Sequence, residues 1–378
     1  MFTPFSLILM SVLLVRSIGA WQSPALSRLH HRHSWLCLYS TKRIVYLGTP
    51  EVAATTLSTL HDASLDQNWE IVSVVTQPPT RRRRKGDKLE PSPVGKTAEL
   101  LGIPVLTPQK ANDPQFLDAL QDLQPDLCIT AAYGQYLPKR FLATPTAGTV
   151  NIHPSLLPKW RGASPVQRSL QAGDNPVGVT VLYTVSKMDA GPIISQISVP
   201  IEDTETSITV LPKLFEIGTK ELIRVLPDIL SGQITPETAT PQDDAQATAA
   251  HLISTAESEL KVWNQTAREC HNQNRGFAMW PQTYLWIQPG DREPIQIKVL
   301  ETRVPVMDPI EPVTNTITVG PTRQDGLYVT CFDGSVLELL KVQPATKKAF
   351  AARDLQNGYP GETLRWIRQI KDDEESSS

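Results

Sequence analysis

One run, Gly148 to Arg168 (GTVNIHPSLLPKWRGASPVQR), constrains this chain more than any other. It begins as a strand: Thr149, Val150 and Ile152 are β-branched, and Asn151 and His153 sit two apart, which sends both side chains to the same side. Pro154 and Pro158 then forbid regular structure and Gly162 loosens the backbone. Ser164-Pro165 restarts the chain as a helix, with Ser164 as N-cap and Pro165 in the first turn. An amide and an imidazole side by side at the carboxyl end of a parallel strand stand where open α/β sheets hold ligands. The pair suits acyl or formyl transfer, because an amide donates to an oxygen turning negative and a histidine moves protons near neutral pH. The plain alternative is that the two side chains only satisfy backbone groups of the turn.

The surroundings read as an α/β fold. Residues 43–48 are a buried strand and Thr49-Pro50-Glu51 opens a helix through Leu60. A strand at 71–76, a helix at 93–101, a short strand at Val105, a helix at 113–123 and a strand at 126–131 follow. This alternation implies a parallel, Rossmann-like, doubly wound sheet. The first turn lacks Gly-x-Gly-x-x-Gly, so a dinucleotide site is not expected. Strands at 178–182 and 193–201 flank the loop Met188-Asp-Ala-Gly-Pro192, where Asp189 followed by small residues reads as a turn aspartate, and a helix covers 207–230.

Residues 232–250 are rich in Thr, Pro, Gln, Ala and Asp without hydrophobic periodicity, the pattern of a linker. A helix at 257–270 precedes five short strands (283–287, 295–300, 316–319, 326–331, 336–342), which suggest a small OB-like β-barrel. The expected division is a targeting segment 1–42, a catalytic domain 43–231, a linker 232–256, a barrel domain 257–368 and a disordered acidic tail 369–378.

No Asp or Glu precedes Glu51, and an apolar run from Phe5 to Val15 leads into a stretch of Arg, Lys, His and Ser. The run is too short to span a bilayer, and the composition suits a cleavable targeting segment. A signal followed by a transit peptide points to a complex plastid; a mitochondrial presequence is the competing reading. The first 42 residues hold four of the 36 basic residues and none of the 39 acidic ones, so the remainder carries −7. Nucleic acid would therefore need a local basic patch. Arg81, Arg82, Arg83, Arg84 and Lys85 form one, between prolines at the carboxyl end of a strand, and suit phosphate contact or a solvated loop. Lys347 and Lys348 face nucleic acid or simply solvent. The four cysteines lack metal-ligand or redox spacing, so no metal and no disulfide framework is expected.

Asn151-Ile-His-Pro-Ser-Leu-Leu-Pro158, followed by Trp160-Arg-Gly-Ala-Ser-Pro165, closely resembles the signature of the 10-formyltetrahydrofolate-dependent formyltransferases. Pro91-Ser-Pro-Val94 is like the pattern of members that act on tRNA, the Gln343 to Ala349 piece looks like the family's end piece, and the resemblance extends from Arg43 to about Trp366. It implies catalysis by Asn151, His153 and Asp189, the last 36 residues beyond His153. It implies a folate against Ser155, Leu156, Leu157, Pro158, Tyr133 and Gly134, and tRNA on Arg81 to Lys85, Lys347 and Lys348. The donor would be 10-formyltetrahydrofolate, bound as substrate with no resident cofactor. The acceptor would be the amine of methionyl initiator tRNA, in an organelle (mitochondrion or plastid) that starts translation with formylmethionine, and the enzyme a monomer off the membrane. A glycinamide-ribonucleotide formyltransferase would share the trio but lack the arginine loop and second domain. A formyltetrahydrofolate hydrolase or dehydrogenase would carry a different second module, and a non-enzymatic RNA-binding relative would need the trio broken.

Overall fold

Strand β1 (Lys42–Gly48) divides its side chains between two cores: Ile44 and Tyr46 fall on one face of a sheet, Val45 and Leu47 on the other. The structure is a computed structural model describing residues 40–81, 89–307 and 314–368. Nearly all of the expected targeting segment, Arg82 to Lys85 and the tail 369–378 lie outside the described residues.

Helix α1 (Glu51–Ser64) leads to β2 (Trp69–Val75), from whose end Thr80–Arg81 (β3) and Leu89–Glu90 (β4) form the base of a hairpin. Helix α2 (Pro93–Leu100) starts at Ser92, whose hydroxyl accepts from the Gly95 N–H at 2.9 Å. Then come β5 (Val105–Leu106), α3 (Pro114–Asp122), β6 (Leu127–Ala131), α4 (Lys139–Leu142) and β7 (Thr149–His153). The domain is completed by β8 (Arg161–Gly162), α5 (Pro165–Ala172), β9 (Val177–Tyr183), β10 (Ile193–Val199) and α6 (Ser207–Leu230). Ser164 stands at the N-cap of α5 as expected, but its side chain makes no capping bond.

The sheet order is β10-β9-β7-β6-β1-β2-β5. Strands β7, β6, β1, β2 and β5 are parallel, while β9 runs against β7 and β10 against β9. The chain therefore winds outward from β1 to β5, crosses back, and resumes at β6 on the other side of β1. That reversal opens a crevice at the carboxyl ends of β1 and β6. Gly48 permits the close approach there, since a Cβ would stand 2.9 Å from the Ala131 carbonyl oxygen and 2.7 Å from the Ala53 Cβ.

Residues 232–256, read as a linker, lie along this domain. Ala249–Ala250 (β11) pairs in parallel with β8, and the ring of bonds includes Arg161 N–H to Thr248 O at 2.9 Å. The expected helix at 257–270 is displaced: Thr255–Glu257 is a single 3-10 turn and helix α7 runs Ala267–Phe277. The reason is that α7 is polar overall and offers few apolar side chains to mark its buried face. Its polar residues from His271 to Arg275 are buried, with the Gln273 amide donating to the carbonyls of Glu257 and Glu259 and the Asn274 amide to Thr283 and the Val299 carbonyl.

Helix α7 packs on α5 and also on a barrel built from β12 (Thr283–Pro289), β13 (Ile295–Arg303), β14 (Thr316–Val319), β15 (Leu327–Thr330) and β16 (Val336–Pro344), with β17 (Phe350–Ala351) appended. The small barrel expected from the sequence is there, with a sixth strand, β18 (Leu364–Trp366), between β12 and β14. Pairing of β13 with β16 closes the ring around Leu285, Ile297, Val299, Leu337 and Leu339.

Candidate active site

At the carboxyl end of β7, Asn151 lies beside Thr130 of β6 in register. The Thr130 hydroxyl donates to Asn151 Oδ1 at 2.8 Å, the shorter of its two contacts, the other being the Val150 carbonyl at 3.2 Å, and so orients the amide. The two amide N–H groups face away from that bond and have no hydrogen-bond partner among the described residues.

His153 is buried, and its Nε2 lies 2.9 Å from the Trp160 carbonyl. A carbonyl only accepts, so Nε2 carries a proton and Nδ1 is the nitrogen left for exchange. Nδ1 faces Asp189 Oδ2 at 3.8 Å, and that same oxygen accepts from the Gly162 N–H at 2.9 Å. The His153 Nε2–H is committed to the Trp160 carbonyl, so the free donors belong to Asn151. Gly162 (φ 131°) is required where it stands, since a Cβ would come within 2.6 Å of the Ala250 carbonyl oxygen. The arrangement is a pair of fixed amide donors beside a histidine whose proton-exchanging nitrogen is turned to a carboxylate.

The remaining expected residues divide sharply. The Ser155 hydroxyl donates to the Lys159 carbonyl at 2.8 Å, Leu157 is buried with its carbonyl taken by the Gln196 amide at 2.6 Å, and Leu156 packs over Gly178. Leu156 and Pro158 are half-buried. The Tyr133 ring sits in the core with Phe116 and Phe141, its hydroxyl has no partner among the described residues, and burial pushes its pKa up to about 12. Gly134 has φ 84° with little around it. The Gln77 amide donates to the Tyr133 carbonyl at 3.2 Å, which ties the root of the β3–β4 hairpin to the crevice edge. Arg81 is exposed on that hairpin; Arg82 to Lys85 lie outside the described residues. Lys347 and Lys348 are exposed in the turn between β16 and β17, in the other domain from Asn151. Thr130 carries no local signal in the sequence, and Trp160 and Gly162 stand there only within the run between β7 and α5, with no site role marked for either.

The fold and this cluster define a formyltransferase: residues 42–226 match the formyl transferase family and residues 252–360 its C-terminal domain, and the chain belongs to that family. It is an enzyme of the transferase class, and three curated relatives at 37% identity are methionyl-tRNA formyltransferases. It is 37% identical over 317 residues to that of Bacillus subtilis (84% of this chain, 94% of the relative). It is 37% identical over 316 residues to that of Bacillus licheniformis (84% and 95%). Among solved structures, the fold is shared with the N-formyltransferase of Helicobacter canadensis in complex with folinic acid and dTDP-3-aminofucose (TM-score 0.54, 17% identity, covering 80% of this chain and 99% of that one). It is shared too with WlaRD, a sugar 3N-formyl transferase with dTDP and 5-N-formyl-THF (TM-score 0.53, 16% identity, 82% and 100%).

Proposed function

We propose that this chain transfers the formyl group of 10-formyltetrahydrofolate to the α-amine of methionyl initiator tRNA, as a monomer inside an organelle. The observation that carries the reading is that the Asn151–His153–Asp189 cluster and the barrel domain occur in one chain similar over 84% of its length to a methionyl-tRNA formyltransferase. A glycinamide-ribonucleotide enzyme would have no use for the second domain. The acid-free first 50 residues support import, into a mitochondrion or a plastid.

In the reaction the amine attacks the formyl carbon, the carbonyl oxygen becomes an oxyanion, and the bond from carbon to the folate nitrogen breaks. One proton leaves the amine and one arrives on the folate nitrogen, so no cofactor is consumed. The Asn151 amide donates to the oxyanion, a contact worth ~3 kcal/mol in acyl transfer. His153 takes a second proton at Nδ1, where the Asp189 carboxylate stabilises the imidazolium, and returns it as the tetrahedral species collapses. Folate lies in the crevice between β1, β6 and β7, against backbone around Tyr133 and Gly134.

The test offers purified residues 42–378 the donor with methionyl initiator tRNA, glycinamide ribonucleotide, or no acceptor. Formylated methionyl-tRNA is expected as the product. Formylation of the ribonucleotide, or donor hydrolysis alone, would select a different member of the family.

A further inference from the structure

We infer that Gln242, in the segment read from sequence as a featureless linker, is a positioning residue that holds Asp189 against His153. The inference rests on the catalytic reading of Asp189 given above.

Asp189 has φ 48°, in the left-handed region that a residue with a Cβ occupies only when its surroundings hold it there. Its carboxylate and its backbone are each gripped. The Gly162 N–H holds the carboxylate, and the Gln242 amide holds the backbone, donating from Nε2 to the Asp189 carbonyl at 2.9 Å and the Gly191 carbonyl at 2.7 Å. The other end of the same amide accepts from Arg161: Oε1 lies 3.0 Å from Nε and 2.7 Å from Nη2. Arg161 is the residue before Gly162, and its guanidinium also donates to Asp244 Oδ1 at 2.7 Å.

Gln242 therefore bridges the two loops whose separation decides where the Asp189 carboxylate stands. Both amide protons and the carbonyl are used, and the orientation is forced, because a flipped amide would set N–H groups against the guanidinium. A general brace would tolerate any side chain of similar size. A bridge that donates at one end and accepts at the other would not.

The experiment uses residues 42–378 and two substitutions. Gln242→Glu keeps the size and the acceptor for Arg161 but turns an oxygen toward the two carbonyls; Gln242→Met keeps the length and removes both ends. Each is expected to lower kcat by about tenfold or more, the scale set by a displaced catalytic group, with KM for donor and tRNA within about twofold. Thermal midpoints should stay near the parent's. In an Asp189→Asn background the same substitutions should cost little, because the group being positioned is already disabled. Unchanged kcat in both variants, an equal loss in the Asp189→Asn background, or a loss that tracks a lowered thermal midpoint would overturn the inference. If Asp189→Asn alone keeps parent activity, the catalytic reading of Asp189 fails first and this inference falls with it.

Discussion

The amide of Asn151 is aimed by Thr130, one strand away, whose hydroxyl occupies Oδ1 and leaves the N–H pair for the crevice. Removing that hydroxyl in Thr130→Val should free the amide to rotate and lower kcat by roughly fivefold, about the worth of one hydrogen bond near 1 kcal/mol. Thr130→Ser should retain most of it, and steady-state formylation kinetics separate the two. Tyr133 offers an opposite case. Its hydroxyl is buried without a partner among the described residues, so Tyr133→Phe should leave folate affinity unchanged and stability equal or up to ~1 kcal/mol higher. A loss of folate binding would instead give the phenol a direct role. At this scale the sequence showed Asn151 and His153 because two-residue spacing on a strand is local. Thr130 was invisible because its partnership exists only once β6 pairs with β7.

Helix α6 crosses the sheet at Gly218, where a Cβ would stand 2.6 Å from Val179 Cγ2 and 2.7 Å from Ile152 Cγ2. Ile152 lies between Asn151 and His153, so Gly218→Ala should both overpack the core by about 1–3 kcal/mol, read from urea unfolding, and lower activity by moving β7. The basic run belongs to this scale too. It springs from β3 and β4, rooted at the same sheet edge as Asn151. Replacing Arg81 to Lys85 with Ala should flatten the log–log salt slope of tRNA affinity by about one unit for each phosphate no longer neutralised. Equal slopes in parent and variant would make the loop a solvated turn. Elements with hydrophobic period, such as β1, α1 and α6, stood out in the sequence. Helix α7 did not, because its buried face is His, Asn, Gln and Arg paired by long-range bonds; only Thr266 with Glu269, a capping box, marked where it starts. The very short strands β8, β11 and β18 exist only through their partners.

Across the whole molecule, the two domains meet where α7 faces the loop before α6. His271 is buried there, with Nε2 on the Asp203 carbonyl at 3.1 Å and Nδ1 against the Thr302 hydroxyl at 2.8 Å. Burial pushes its pKa below the ordinary 6.5, opposed by Asp203 and aided by Arg275 and Arg268. The unfolded chain then binds a proton that the folded one refuses, so stability is intact above 6.5 and lost as pH falls below it, by up to about 1.4 kcal/mol per pH unit. His271→Gln should flatten the unfolding free energy between about pH 7 and pH 5; an unchanged slope would remove His271 as the cause. The import reading is tested separately: residues 1–50 fused to a fluorescent protein should enter an organelle, and cytosolic retention or export contradicts it. The central claim, that Asn151 at the end of β7 stabilises the reaction's oxyanion, is met most directly by the kcat of Asn151→Ala on methionyl initiator tRNA, with tRNA affinity measured alongside. The account predicts a loss of about 100-fold or more in kcat and affinity within about twofold of the parent. Near-parent turnover, or a loss carried entirely by tRNA binding, would contradict it.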